Sequence, residues 1–91
     1  MTITVEHDPQ RGRFHATVQG QLCVCDYRLR DGVMVMTHTE VAPELEGRGI
    51  AAVLVRAALD HATTHGLKVR PLCSYVTSYM RRHPETQSLL P

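Results

Sequence analysis

Between Val41 and Ile50 the spacing of apolar residues changes period, and this change constrains the fold more than any other feature of the 91-residue chain. Before it, apolar and polar residues alternate, the period of strands with one buried face; after it, apolar residues recur every three or four positions, the period of an amphipathic helix. No internal repeat or low-complexity tract separates the two halves. The chain therefore reads as one domain over residues 1–91.

Within the first half, Ile3 and Val5 alternate with polar neighbours, which predicts a short strand over residues 2–6, and Asp8-Pro9-Gln10-Arg11-Gly12 is a turn cluster. A second strand over 13–18 carries Phe14, Ala16 and Val18 on one face. Gln19-Gly20 suits a tight hairpin into a third strand over 22–29, and Asp31-Gly32 is a strong type I′ signal leading into a fourth over 33–41. Alternation in that fourth strand puts Val33, Val35, Thr37, Thr39 and Val41 on one face and Met34, Met36, His38 and Glu40 on the other. Pro43 ends the sheet because proline has no amide hydrogen for a ladder.

In the second half, Ile50, Val53, Leu54, Ala57, Ala58 and Ala62 form the predicted apolar stripe of a helix, with Arg56, Asp60, Thr63 and Thr64 facing away. Gly66 suits the left-handed position after a helix end, and His65 its last turn. Residues 67–72 read as a strand, and a strand–helix–strand succession implies parallel pairing through a right-handed crossover. Residues 74–83 read as a second helix with Tyr75, Val76, Tyr79 and Met80 on one side; Pro84 ends it, and residues 85–91 read as a frayed tail. The expectation is an α+β fold, ββββ-α-β-α: an antiparallel meander whose fourth strand lies parallel to a fifth, with helices packed on the sheet.

Composition excludes several classes. Apolar residues make up 43% and charged residues 21%, enough for a globule with a core. A net charge of +1 argues against nucleic-acid binding through bulk electrostatics. No apolar run approaches the roughly 18 residues of a membrane span. The first eight residues lack a charged segment followed by an apolar one, so they read as the start of the fold, and a cytoplasmic location is the expectation. Three cysteines, an odd number, are expected as free thiols, with Cys23 and Cys25 on one strand face as core residues. The six histidines are scattered along the chain, and no metal is expected. An open sheet edge in so small a domain leaves weak homodimerisation as an expectation.

The segment Glu46-Gly47-Arg48-Gly49-Ile50-Ala51 joins strand to helix. Glycines let backbone approach a ligand, and the first amides of a helix have no intrahelical partner and sit at its positive end. Such a loop binds anions, and Arg48 adds a cation. The same glycines also fit a plain tight connection. The P-loop lysine and the third Rossmann glycine are both missing.

The stretch Val41-Ala42-Pro43-Glu44-Leu45-Glu46-Gly47-Arg48-Gly49-Ile50-Ala51 resembles the acetyl-CoA pyrophosphate loop of the GNAT acetyltransferases, whose pattern is Gln/Arg-x-x-Gly-x-Gly/Ala. Gly49 and Ala51 match its last two positions; Glu46 stands at the first. Pro71-Leu72-Cys73-Ser74-Tyr75-Val76, Arg81-Arg82-His83-Pro84-Glu85 and His38-Thr39 narrow the likeness to the minimal GNAT-related acetyltransferases, in which Glu is common at that position.

The resemblance implies acetyl-CoA as cosubstrate and an amine acceptor of unspecified identity on a small molecule or protein. It implies a V between the fourth and fifth strands that takes the pantetheine arm beside Val41, with the pyrophosphate on amides from Gly47 to Ala51, Ile50 among them. The thioester then points towards Cys73 and Ser74. Cys73, at a helix start that favours a thiolate, is a candidate nucleophile, base or lining residue. His38 is a candidate base, and Tyr79, with Tyr75 as competitor, a candidate acid at the leaving thiolate. Arg82 is a candidate for the 3′-phosphate or simply a cation at a helix end. Because the region that larger relatives use for acceptor selection is short, a non-catalytic CoA-binding module or sensor stands as the alternative.

Overall fold

The computed structural model describes residues 2–91. Five strands, β1 (Glu6–Asp8), β2 (Arg13–Val18), β3 (Gln21–Arg30), β4 (Val33–Glu40) and β5 (Lys68–Pro71), form one sheet in which spatial order equals chain order. All neighbours are antiparallel except β4 and β5, which pair in parallel across helix α1 (Ile50–Thr64). Helix α2 (Ser74–Arg82) follows β5, and short 3-10 segments cover Pro43–Leu45 and Pro84–Leu89.

The two tight turns form as their residues require. Gln19 and Gly20, then Asp31 and Gly32, all take positive φ (51°, 76°, 53° and 77°), the paired left-handed geometry that matches strand twist. Phe14, Ala16 and Val18 are buried on one face of β2, as their alternation predicts, and Cys23, Cys25 and Tyr27 continue that face on β3. Both helices contact each other and the sheet, and one apolar cluster joins this sheet face to Leu54, Val55, Ala58 and Leu59 of α1 and to Val76, Tyr79 and Met80 of α2. Full burial of such side chains contributes roughly 1.5–3 kcal/mol each before entropy is counted. Cys23 and Cys25 are free core thiols. Gly66 (φ 67°) ends α1, with the Leu67 amide donating back to the Ala62 carbonyl at 2.8 Å.

Four expectations need correction. The first strand covers Glu6–Asp8 rather than 2–6: the turn at residues 9–12 pairs Glu6, His7 and Asp8 with His15, Phe14 and Arg13, while Ile3 and Val5 pack against the core without strand pairing. The buried stripe of α1 includes Val55 and Leu59, and Val53 is exposed. From Ile50 to Leu59 only Arg56 is polar, so two adjacent stripes satisfy the same periodicity. Residues 85–91 are not frayed. Thr86 is 3% exposed and its hydroxyl donates to the His83 carbonyl at 2.7 Å; Gln87 donates to the Met80 carbonyl at 2.7 Å; Leu89 and Leu90 pack on the core.

The fourth correction shapes the site. Asp26 lies opposite His38 and Tyr27 lies opposite Met36, so Thr37 is an extra residue on β4, a bulge. Before it, Met34 and Met36 point into the core; beyond it the faces exchange. Thr39 now lies opposite Cys25 on the core face, and His38 and Glu40 lie on the outer face, opposite Asp26 and Val24. Strict alternation placed His38 with the methionines; the inserted residue turns it away.

Candidate active site

Beyond the bulge β4 loses its parallel partner. Register with β5 ends at Met36 and Pro71, where the Met36 carbonyl accepts from both the Leu72 and Cys73 amides at 3.0 and 3.1 Å. The two chains then part. β4 runs on to Glu40 and β5 gives way to α2. The V implied by the resemblance is thus built by a bulge on one strand and a helix start on the other.

A cleft of about 540 Å³ opens there, lined by Thr39, Glu40, Val41, Leu45, Glu46, Gly47, Gly49, Ile50, Ala51 and Tyr75. Leu45, 1% exposed, fixes the Pro43–Leu45 turn to the core and so holds the loop in place. Gly47 and Gly49 both take left-handed φ, 80° and 79°, and Gly49 is the N-cap of α1. A β-carbon at either would meet nothing within 4 Å, so conformation demands glycine there while the space above stays open. The Gly49 carbonyl accepts from Val53 at 3.2 Å, which starts the helix and leaves the amides of Ile50, Ala51 and Ala52 without intrahelical acceptors. Open space over unpaired amides at a positive helix end fits a pyrophosphate. Arg48 is exposed on the same loop.

Cys73 caps α2 behind the cleft lining. Its Sγ donates to the hydroxyl of Thr39, a lining residue, at 3.7 Å. Burial pushes its thiol up, but hydrogen bonds from the Val76 amide, the Thr39 hydroxyl and the Tyr75 amide outweigh burial and leave its pKa lowered. Cys25, fully inside, behaves oppositely, pushed up to about 12 chiefly by burial. Tyr75 reaches the cleft, and burial raises its phenol pKa, so it is a neutral donor at pH 7.

The structure therefore brings Val41, Glu46, Gly47, Gly49, Ile50 and Ala51 together, with Arg48 on the same loop and Cys73 one contact away. It does not bring in His38, Tyr79 or Arg82 as lining residues. His38 is exposed on the outer face, its Nε2 2.9 Å from Glu40 Oε1. Tyr79 is buried, and its hydroxyl accepts from Arg56 Nε at 2.9 Å while its ring stacks on His83 with centroids 4.0 Å apart. Ser74 is exposed at the first position of α2, and Arg82 is exposed at its last turn. Thr39, Glu40 and Leu45 were missed as site residues. Thr39 becomes legible only once the bulge is known, and Leu45 reads as one apolar residue in a polar loop. No cluster of three or more metal-ligating side chains occurs among the described residues, and no helix among them is long and apolar enough to cross a membrane.

A meander that turns parallel at a splayed fourth strand, with a glycine-shaped helix start beside the splay, defines an acetyltransferase-type domain. The chain belongs to the GCN5-related N-acetyltransferase family, whose model matches residues 13–89. Among curated relatives, Protein NATD1 of Mus musculus is 35% identical over 91 residues, spanning 96% of this chain and 82% of that protein. Protein NATD1 of Homo sapiens is 34% identical over 96% of this chain and 80% of its own length. A GCN5-like putative N-acetyltransferase from Staphylococcus aureus, solved by NMR, superposes with a TM-score of 0.77 over 97% of this chain and 87% of that one, at 23% identity, and supports the fold.

Proposed function

We propose that the protein is an acetyl-CoA-dependent N-acetyltransferase acting on an amine. The observation that carries this reading is the continuity of the cleft, which runs from the left-handed glycines at the start of α1 to Thr39, whose hydroxyl accepts from Cys73. In this reading the amides of Ile50, Ala51 and Ala52 hold the pyrophosphate, and the backbone of β4 beside Val41 pairs with the pantetheine arm. A backbone amide there polarises the thioester carbonyl. Cys73 takes the proton from the attacking amine or accepts the acyl group itself. Tyr75, rather than Tyr79, donates to the departing thiolate, because Tyr75 lines the cleft and Tyr79 is held by Arg56.

A second reading, a non-catalytic CoA sensor, draws support from one fact: none of Cys73, His38 and Tyr79 lines the cleft itself. Calorimetric titration with acetyl-CoA, followed by intact-protein mass spectrometry, separates the two. Binding with turnover on an amine panel supports the enzyme. Binding with no turnover and no acetyl mass gain supports the sensor. No binding at millimolar ligand removes both.

A further inference from the structure

Thr39, in the cleft lining, joins two thiols that lie behind it through one hydroxyl. Thr39 Oγ1 accepts from Cys73 Sγ at 3.7 Å and donates to Cys25 Sγ at 3.9 Å. The three side chains come from three elements: Cys25 from β3, Thr39 from β4 beyond the bulge, and Cys73 from the cap of α2. Cys25 lies directly across the strand pair from Thr39 and is 1% exposed, whereas Cys73 is half-buried.

A hydroxyl carries one proton and accepts on the same oxygen, so a chain through it can run in either direction. With Cys73 protonated, donation runs from Cys73 to Thr39 to Cys25. When Cys73 loses its proton to solvent, the Thr39 hydroxyl turns to donate to the thiolate. The Cys25 S–H then turns to donate to the Thr39 oxygen. For this reversal Cys25 must keep its own proton, and burial ensures that it does across the neutral range. The other groups around the pair do not substitute for it. Tyr75 and Val76 contribute backbone amides from α2, while the neighbouring carboxylates of the strands, Asp26 and Glu40, lie in outer-face rows, Asp26 bound to Arg13 at 2.7 Å and Glu40 to His38 at 2.9 Å.

We propose that Thr39 is a positioning residue for Cys73, and that Cys25 behind it completes a reversible hydrogen-bond relay that stabilises the Cys73 thiolate. The assignment of a role to that thiolate in acetyl transfer rests on the function proposed above; the relay itself does not. The bulge is what makes it possible, since unbroken alternation from Met36 through Thr37 would turn the Thr39 side chain outward.

The test is the pH profile of Cys73 alkylation by iodoacetamide, read by peptide mass mapping, in the parent, Thr39→Val, Thr39→Ser and Cys25→Ala. Thr39→Val is expected to leave roughly tenfold less thiolate at a given pH, an upward midpoint shift of about one unit. Thr39→Ser keeps the parent midpoint, and Cys25→Ala shifts it upward by less than Thr39→Val. A parent-like midpoint in Thr39→Val or in Cys25→Ala overturns the relay, as does a shift in Thr39→Ser equal to that in Thr39→Val. If Thr39→Val does not fold, the Cys25→Ala and Thr39→Ser profiles decide. Alkylation needs no substrate, so the two proposals fail separately: shifted midpoints without acetyl-CoA binding sink only the enzyme, and turnover without shifted midpoints sinks only the relay.

Discussion

The two ends of α2 are built for different purposes, although they carry the two segments that most sharply narrow the family resemblance. At the first turn, Tyr75 lines the cleft and Cys73 bonds to Thr39 of its lining; the thiol is half-buried, and its hydrogen bonds favour the charged form. At the last turn, Tyr79, His83, Thr86 and Gln87 are engaged with one another, with Arg56 and with carbonyls of α2, and Glu85 holds Arg56 at 2.7 Å. One end leaves groups available; the other uses them up. A motif residue can therefore be specific to a fold without touching its chemistry, and Tyr79 is the clearest case.

The largest effect that bears on this contrast is expected at the first turn. Cys73→Ala should lower turnover by roughly 10²–10⁴-fold, the usual worth of a positioned proton-transfer group, while acetyl-CoA binding measured by calorimetry stays intact. Undiminished turnover would erase the contrast from its active side. Next comes the loop that faces this turn. Gly49→Glu forces a side chain into left-handed backbone and sets a carboxylate over the anion site; acetyl-CoA binding should weaken by roughly tenfold or more.

At the far end effects should fall on stability alone. Tyr79→Phe removes the acceptor of Arg56 Nε and should cost about 1 kcal/mol, seen as a melting point lower by roughly 4–8 °C, with kcat unchanged. A collapse of kcat without loss of stability would place Tyr79 in the chemistry after all. The smallest effect belongs to Glu85→Gln. The Arg56 hydrogen bond holds the Glu85 carboxyl below its ordinary pKa, so its stabilisation is present above the unfolded carboxylate pKa and is lost as pH falls through the lower folded value. Melting curves of parent and variant should differ slightly at pH 7 and converge in acid; a constant gap across that range would mean that charge is not what Glu85 contributes.

Much of the fold was legible because local chemistry and global packing agree. The Asp31-Gly32 turn, the β2 alternation and Gly66 each point to one structure. The same holds for Gly47 and Gly49, whose left-handed φ suits the turn into α1. What escaped reading was of two kinds. The bulge at Thr37 carries no glycine or proline to mark it, and one unmarked residue is enough to exchange the environments of His38 and Thr39. The segment Pro84–Leu89 is polar and short, which resembles a tail; it is ordered by side-chain bonds to the carbonyls of Met80 and His83, and such bonds leave no periodic trace. In both cases the missing information was tertiary.

Sheet order that equals chain order has a kinetic consequence. The meander can assemble by closing short hairpins one after another, and such local contacts cost little chain entropy. The parallel β4–β5 pair has to wait until the whole of α1 has been folded back across the sheet. The V is thus expected to be among the last features to form on folding and among the first to open by local fluctuation, which hydrogen exchange would register as weaker protection at Leu72 and Cys73 than along β2 and β3. A cleft located at the seam that closes last is opened to solvent by the same event that makes it the least protected part of the sheet.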